Sequence, residues 1–336
     1  MTKKITALAL VLLLAAALFA GCGGGEAEHI GGGVDDGVLK IVCTTFPQYD
    51  WTRQILGDKL ADAEVTYLQD SGADLHSYQA TASDFVKIQE ADLFVYVGGE
   101  SDDWVPKALR DAPYAETLDL LTALGENAKL EEAVEGAEEE EEEEEEAYDE
   151  HVWLSLKNAV ILVNALAEKI AALDPENAEA YKANAAAYVK ELEALDAEYA
   201  AATSKAKIHT LLFADRFPFR YLCDDYKIKA FAAFNGCSAE TEVSTETIAT
   251  LVKALDDNNL PAVAVTESSD MKIAKTLFEN ATVNKTQTIV VMNSLQSVTG
   301  DKAEKGVTYL GVMRENLTSL KAALGMGTNE NGTVDM

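Results

Sequence analysis

The chain of 336 residues carries four imidazoles: His29, His76, His151 and His209. Two of them keep acidic and aromatic company. His76 lies in Asp74-Leu75-His76-Ser77-Tyr78, and His151 in Asp149-Glu150-His151-Val152-Trp153. Neutral imidazole suits zinc and other borderline divalent ions, and carboxylates complete a mixed nitrogen and oxygen shell. His76 and His151 are therefore the expected metal ligands. His29 falls on a glycine-rich stretch and His209 opens a strand-like run, so both read as structural or incidental. Just before His151 stand Glu138, Glu139, Glu140, Glu141, Glu142, Glu143, Glu144, Glu145 and Glu146. A block of like charge repels itself and rarely packs, so alone it reads as a solvated loop. Beside His151 it is expected to act as an accessory cation collector.

Positioning these groups requires a scaffold, and the hydrophobic pattern supplies one. Leu39–Phe46, Val65–Leu68, Asp92–Val97 and a weaker run near Thr117–Leu121 read as strands. They alternate with helices at Tyr49–Leu56, Ser83–Glu90 and around Trp104–Arg110. Trp153–Leu173 has a helical period that Asp174-Pro175 breaks. Glu176–Lys205 then runs without Gly or Pro and predicts a rod of about 45 Å. Its apolar positions do not read as a strict heptad. The pattern restarts with strands at Ile208–Ala214, Ile228–Phe234, Ala262–Thr266 and Thr288–Met292, and helices at Glu246–Leu255, Asp270–Asn280 and Ala303–Leu324. Two α/β halves of four strands each, joined by one long helix, imply mostly parallel sheets with ligands at the carboxyl ends of strands. His76, His151, Asp215, Glu267 and Asn293 all fall after strands or on strand-following loops.

Net charge is −31, which argues against nucleic acid or anionic lipid as partners and for attraction of cations. Residues 1–21 read as an export signal: Lys3 and Lys4 precede an apolar run, Ile5–Phe19, too short for a membrane span. Ala20-Gly21-Cys22 resembles the lipobox of bacterial lipoproteins, with Phe19 where Leu is usual. The expectation is an exported protein held on the outer face of the cell membrane by lipid on Cys22, with 22–37 as a flexible tether. Cys43, Cys223 and Cys237 then remain, leaving open one disulfide with one free thiol. No CxxC is present, which argues against a cysteine zinc knuckle.

Several segments together resemble the solute-binding lipoproteins of zinc and manganese ABC transporters, the cluster A-I metal-binding family. Thr44-Thr45-Phe46-Pro47-Gln48-Tyr49-Asp50 is similar to the family's opening strand and turn. Asp74–Gln79 resembles its first ligand motif, Ala91–Gly99 its A-D-L-x-x-x-x-G-G segment, and Asp149–Leu154 its second ligand motif. Glu240–Ser244 is similar to its E-x-E-P-S turn, whose acids suit helix capping. The acidic run sits where many zinc-binding members carry a His-rich loop. Two departures stand out. Aligning Phe219-Arg220-Tyr221 with the family pattern puts Arg216 in the third ligand place, and an always-protonated guanidinium does not bind metal. Asp215, one residue earlier, is the replacement oxygen donor. The fourth place holds Asn293, and Glu267 is the nearest carboxylate alternative.

The resemblance implies two lobes, each a four-stranded mostly parallel sheet with flanking helices, bridged by one long rigid α-helix, with Zn2+ or alternatively Mn2+ in the cleft. It implies a first lobe at 38–175 with an acidic loop at 131–147, a linking helix at 176–205, a second lobe at 206–325 and a flexible tail at 326–336. Small lobe movements and local loop ordering are expected on binding. The implied function is capture of a divalent metal by a monomer, and delivery to an ABC permease with a cytosolic ATPase. A surface adhesin and a metallohydrolase are the competing readings. The second lacks an HExxH motif and an evident nucleophile set, so no enzyme activity is expected.

Overall fold

The computed structural model describes residues 37–138, 147–236, 238, 242–282 and 288–326. Cys22, Glu139–Glu146 and Cys237 lie outside these residues. Strand β1 (Leu39–Cys43) leads into α1 (Phe46–Leu56), followed by β2 (Ala63–Tyr67), α2 (Ala82–Gln89), β3 (Leu93–Tyr96), α3 (Val105–Asp111), β4 (Glu116–Asp119) and α4 (Leu120–Leu124). Two long helices come next, α5 (Leu156–Leu173) and α6 (Ala178–Lys205). The second half runs β5 (Thr210–Arg216), α7 (Arg220–Tyr226), β6 (Lys229–Phe234), α8 (Thr245–Asp257), β7 (Ala262–Val265), α9 (Lys272–Asn280), β8 (Thr288–Val291), α10 (Gly300–Glu304) and α11 (Tyr309–Ala323).

Each half builds one fully parallel sheet, in the orders β2-β1-β3-β4 and β6-β5-β7-β8. The two topologies are the same. In each, the strand order reverses beside the first strand, and a crevice opens there at the carboxyl ends. Ile41, Val42 and Cys43 are buried, as expected of a central strand covered on both faces.

The expected strand through Phe46 stops earlier, at Cys43. Pro47 sits in the first turn of α1, where its missing N–H costs nothing, and Gln48 Oε1 takes the backbone N–H of Thr44 at 2.9 Å and of Thr45 at 3.1 Å. The closing helix expected over Ala303–Leu324 is two helices. Gly306, at φ 96°, turns the chain between them, and Thr308 caps α11 by accepting the Gly311 N–H. The run from Trp153 begins as a 3-10 turn, Val152–Leu154, and α5 starts only after the Ser155 cap.

Helix α6 has 28 residues and a length of about 42 Å. Its buried apolar side chains are Tyr181, Ala185, Tyr188, Leu192, Leu195, Tyr199 and Ala202. Their spacing alternates four and three, so the buried stripe keeps the heptad that the sequence hides. Ala occupies exposed positions as well, and small apolar residues on every face blur the pattern. One apolar core joins Ile41 and Val95 of the first sheet, Trp153, the buried faces of α5 and α6, and Leu211, Phe213 and Met313 of the second half. Smaller clusters close the outer faces, around Phe94 and Ile88 on one side and Val263 and Leu251 on the other.

Hydrogen bonds reinforce this shared core. Tyr67 donates to the Val298 carbonyl at 2.8 Å, and Tyr309 N–H to Asp50 Oδ2 at 2.9 Å. The segment leading to the acidic run lies along the open edge of β6. Glu135 accepts from Ala232 N–H, and Glu138 N–H donates to the Ala233 carbonyl. Lys229 pairs there with Glu135 across 2.5 Å, and Arg220 with Glu132 across 2.8 Å.

Candidate metal centre

His76 stands in the 3-10 turn Leu75–Ser77 after β2, where Asp74 Oδ1 accepts the His76 backbone N–H at 3.0 Å. His151 precedes the turn Val152–Leu154 and is fully buried. The two sequence-predicted histidines meet: their Nε2 atoms are 3.2 Å apart. Two imidazole nitrogens on one tetrahedral zinc, at the usual bond length, stand roughly 3.3 Å apart. The spacing fits a shared ion.

Both rings are aimed from behind. His151 Nδ1 lies 3.0 Å from Asp149 Oδ1, which also accepts the His151 backbone N–H at 2.9 Å. His76 Nδ1 lies 2.9 Å from Ser101 Oγ, and that hydroxyl donates to Glu150 Oε2 at 2.5 Å. Anchoring each Nδ1 leaves each Nε2 lone pair for a ligand, the arrangement that fixes tautomer and orientation around bound metals. Glu150 is itself buried, takes the Ser101 N–H at 2.7 Å, and abuts Gly99. Gly99 has φ +86°, and a Cβ there would sit 2.5 Å from Glu150 Oε1, so only glycine closes this loop.

Two bare Nε2 lone pairs at this distance repel, so the metal-free pair shares a proton. Burial depresses the His76 imidazole to about 4, with the charges of His151 and Arg216 adding to the effect against Asp74 and Asp149. Burial acts the same way on His151, but its hydrogen bond to Asp149 and the charges of Asp149 and Glu150 outweigh it, and its pKa rises. His151 is therefore the more basic of the two rings. Burial also raises the Glu150 carboxyl against its bonds from Ser101.

The second half grips the His151 segment. Tyr221 donates to the Asp149 carbonyl at 3.0 Å, Trp153 Nε1 to the Ser294 carbonyl at 2.9 Å, and Tyr309 to the Trp153 carbonyl at 2.6 Å. Gly236 lies against the ring: a Cβ there would be 2.9 Å from the Phe217 carbonyl and 3.3 Å from His151 Cε1.

Asp215 and Arg216 lie within β5, two residues past the expected strand end, where the register against β6 shifts. Asp215 Oδ2 accepts from Thr266 Oγ1 at 2.7 Å, and Oδ1 from the Arg216 N–H at 2.9 Å. Asp215 and Arg216 line a cavity of about 350 Å3 together with Asp74, Thr266, Ser294 and Gln296. Gln296 Oε1 accepts the Leu75 N–H at 3.3 Å, next to His76, a contribution that the sequence reading missed.

Glu267 stands elsewhere. Its Oε2 takes the Ser294 N–H at 2.8 Å, and its Oε1 takes the hydroxyls of Ser294 and Ser297, each at 2.9 Å. Both oxygens clasp the loop after β8. Asn293 Oδ1 accepts from Leu295 N–H at 2.8 Å and so turns the same loop. Among the described residues, no three His, Cys, Asp or Glu side chains group to hold a metal ion. Glu138, the first of the acidic run, accepts the Ser244 N–H at 2.9 Å at the start of α8. Cys43 and Cys223 are buried free thiols, so neither belongs to a disulfide.

Residues 41–323 match the family described as the periplasmic component A of the zinc-uptake complex. The chain is 35% identical over 289 residues to the zinc-binding lipoprotein AdcA of Streptococcus pneumoniae, covering 85% of this chain and 56% of that protein. It thus spans about half the length of that relative. It is 31% identical over 309 residues to the high-affinity zinc uptake system protein ZnuA of Bacillus subtilis, covering 91% and 94%. The solved Zn(II)-bound ZnuA-like domain of Streptococcus pneumoniae AdcA superposes with a TM-score of 0.67 at 31% identity, over 86% of this chain and 99% of that one. The metal-dependent lipoprotein YcdH from Bacillus subtilis superposes with a TM-score of 0.69 at 28% identity, over 85% and 99%.

Proposed function

Because the chain belongs to the family of the periplasmic component A of zinc uptake, we propose that it is an extracytoplasmic solute-binding protein for a divalent transition metal. Zn2+ is the first candidate and Mn2+ the next. The carrying observation is the convergence of His76 and His151, with Nε2 atoms 3.2 Å apart and each Nδ1 tied back. Zinc-binding relatives support the choice of metal.

In this reading the ion is held by His76 and His151, displaces their shared proton, and passes to an ABC permease with a cytosolic ATPase. Asp215 is the second-half carboxylate that we place in the ion's surroundings, and Glu267 holds the loop that receives Trp153. The protein is a monomeric, non-enzymatic carrier, exported and held on the outer face of the cell membrane through lipid on Cys22. Its lobes are 38–175 and 206–325, linked by 176–205. Glu139–Glu146 serve as the cation collector, with Glu138 fixing the run's start. The zinc-binding and zinc-uptake relatives favour metal capture over an adhesin or a hydrolase.

A melting curve of the mature protein in EDTA, Zn2+ and Mn2+ tests the reading. At a hundredfold excess over Kd, a bound ion adds about 2.7 kcal/mol and raises the transition by roughly 5 °C. The combined His76→Ala/His151→Ala variant is expected to lose that response. An equal response in wild type and variant, or none in wild type, refutes the assignment.

A further inference from the structure

Neither His76 nor His151 lines the cavity that Asp74, Asp215 and Arg216 share. That cavity stands at the carboxyl ends of the second sheet. Asp215 and Arg216 end β5, and Thr266 follows β7 directly. The strand order reverses between these two strands, the place where open α/β sheets receive small molecules. At about 350 Å3 the cavity is of small-molecule size.

Its walls hold unspent polar groups of both signs. Arg216 is half-buried, and among the described residues its guanidinium makes no ion pair and no side-chain hydrogen bond. Asp74 is half-buried as well. Its Oδ1 takes the His76 backbone N–H, while its Oδ2 takes no hydrogen bond among the described residues. The two opposite charges line one cavity without pairing with each other. Gln296, only 8% exposed, spends its side-chain oxygen on the Leu75 N–H, and its NH2 group has no partner among the described residues. The other two acids of the lining are occupied: Asp215 by Thr266 and the Arg216 N–H, Asp270 by Lys272.

Charge narrows the choice of occupant. Three aspartates against one arginine disfavour a simple anion. A guanidinium with its five donors unspent disfavours a simple cation, and its fork matches a carboxylate in two-point contact. A molecule that carries both charges satisfies both walls. We propose that this cavity binds a free α-amino acid, with its carboxylate received by Arg216 and the Gln296 NH2 group and its ammonium by Asp74. Phe234 and Ile273 supply apolar wall for the side chain. Asp215 and Asp270 reject an acidic side chain, because like charges brought together out of water repel. The site uses neither imidazole, so it stands or falls independently of metal capture.

Equilibrium dialysis of the mature chain in EDTA tests this, with labelled L-alanine, L-glutamate, propionate and ethylamine as probes. The expected result is one alanine retained per chain. Propionate and ethylamine each lack one of alanine's two charged groups, and both should bind about tenfold more weakly or worse, as should glutamate. Arg216→Met and Asp74→Asn are each expected to weaken alanine retention by about tenfold or more. Arg216→Lys, which keeps the charge without the fork, should fall between. Thermal melts in EDTA check that the variants fold, and the three analogues test the same assignment on the wild-type chain. No alanine retained overturns the inference. Propionate or ethylamine bound as tightly as alanine overturns the two-charge assignment, and glutamate bound as tightly overturns the role of the aspartates. Equal retention of alanine by wild type and a folded Arg216→Met variant overturns the placement of the carboxylate.

Discussion

Replacing Glu267 by Gln separates a structural carboxylate from a ligating one. Glu267 Oε2 faces the Ser294 N–H, while Oε1 takes two serine hydroxyls. The amide keeps one acceptor oxygen and turns an NH2 group toward a donor at the other. One charge-assisted hydrogen bond is lost, and the others lose their ionic character, at a cost of about 2 kcal/mol. For a chain of this size that lowers the melting temperature by roughly 4 °C. The measurement is urea unfolding of the EDTA-treated protein, where the midpoint should fall at an unchanged slope. Zinc affinity, read by competition with a chelating dye, should fall less than tenfold. That residual effect passes through the Ser294 carbonyl, which holds Trp153 beside His151. If metal-free E267Q unfolds like wild type while zinc affinity drops a hundredfold or more, Glu267 is a ligand and the clasp argument is wrong.

Zinc capture should release one proton on mild acidification, because His151 titrates high and His76 only at about 4. Affinity is then expected to fall about tenfold per pH unit below the His151 titration, steepening near His76's own value. A flat profile, or two protons released at pH 6 by calorimetry, contradicts the split pair. Without metal, the buried neutral His76 makes the protein lose stability as pH falls from 6.5 toward about 4, since the unfolded chain binds that proton first. Gly236→Ala places a Cβ 2.9 Å from the Phe217 carbonyl and 3.3 Å from His151. It should cut zinc affinity at least tenfold, with His151 imidazole shifts by NMR marking the displacement. Tyr309→Phe strips the donor from the buried Trp153 carbonyl and should cost about 1–3 kcal/mol in urea; a change under 0.5 kcal/mol sinks the argument.

The histidines were legible because their signal is local. Asp149 sits two residues from His151 and ties both its ring and its backbone. Asp74 does only half of that, holding the His76 backbone while the ring is aimed by Ser101 and Glu150. Those partners lie 25 and 74 positions away, on other loops, and no spacing announces them. Both parallel sheets followed from β-branched runs alternating with helices. Arg216 was readable as a misfit because a guanidinium cannot replace a ligand. Glu267 reads as a candidate for the same reason as Asp215, a carboxylate near the end of a strand. Its role depends on Ser294 and Ser297, thirty residues on at most, which only the packed crevice brings back. The break before α11 had a readable sign in Gly306-Val307-Thr308, a turn followed by a cap, that the apolar period concealed.

The segment laid along β6 has a consequence for the protein as a colloid. An outermost parallel strand offers a row of unpaired N–H and C=O groups, the template by which sheets recruit strands from other molecules. Here Glu135 and Glu138 occupy part of that row with their own backbone, while the carboxylates of Glu132 and Glu135 are drawn onto Arg220 and Lys229. The start of the acidic insertion is thus a gatekeeper. Removing it along with the glutamates would expose an apolar edge containing Phe231, Ala232 and Ala233, and concentrated samples of such a variant should aggregate where the intact chain stays dispersed.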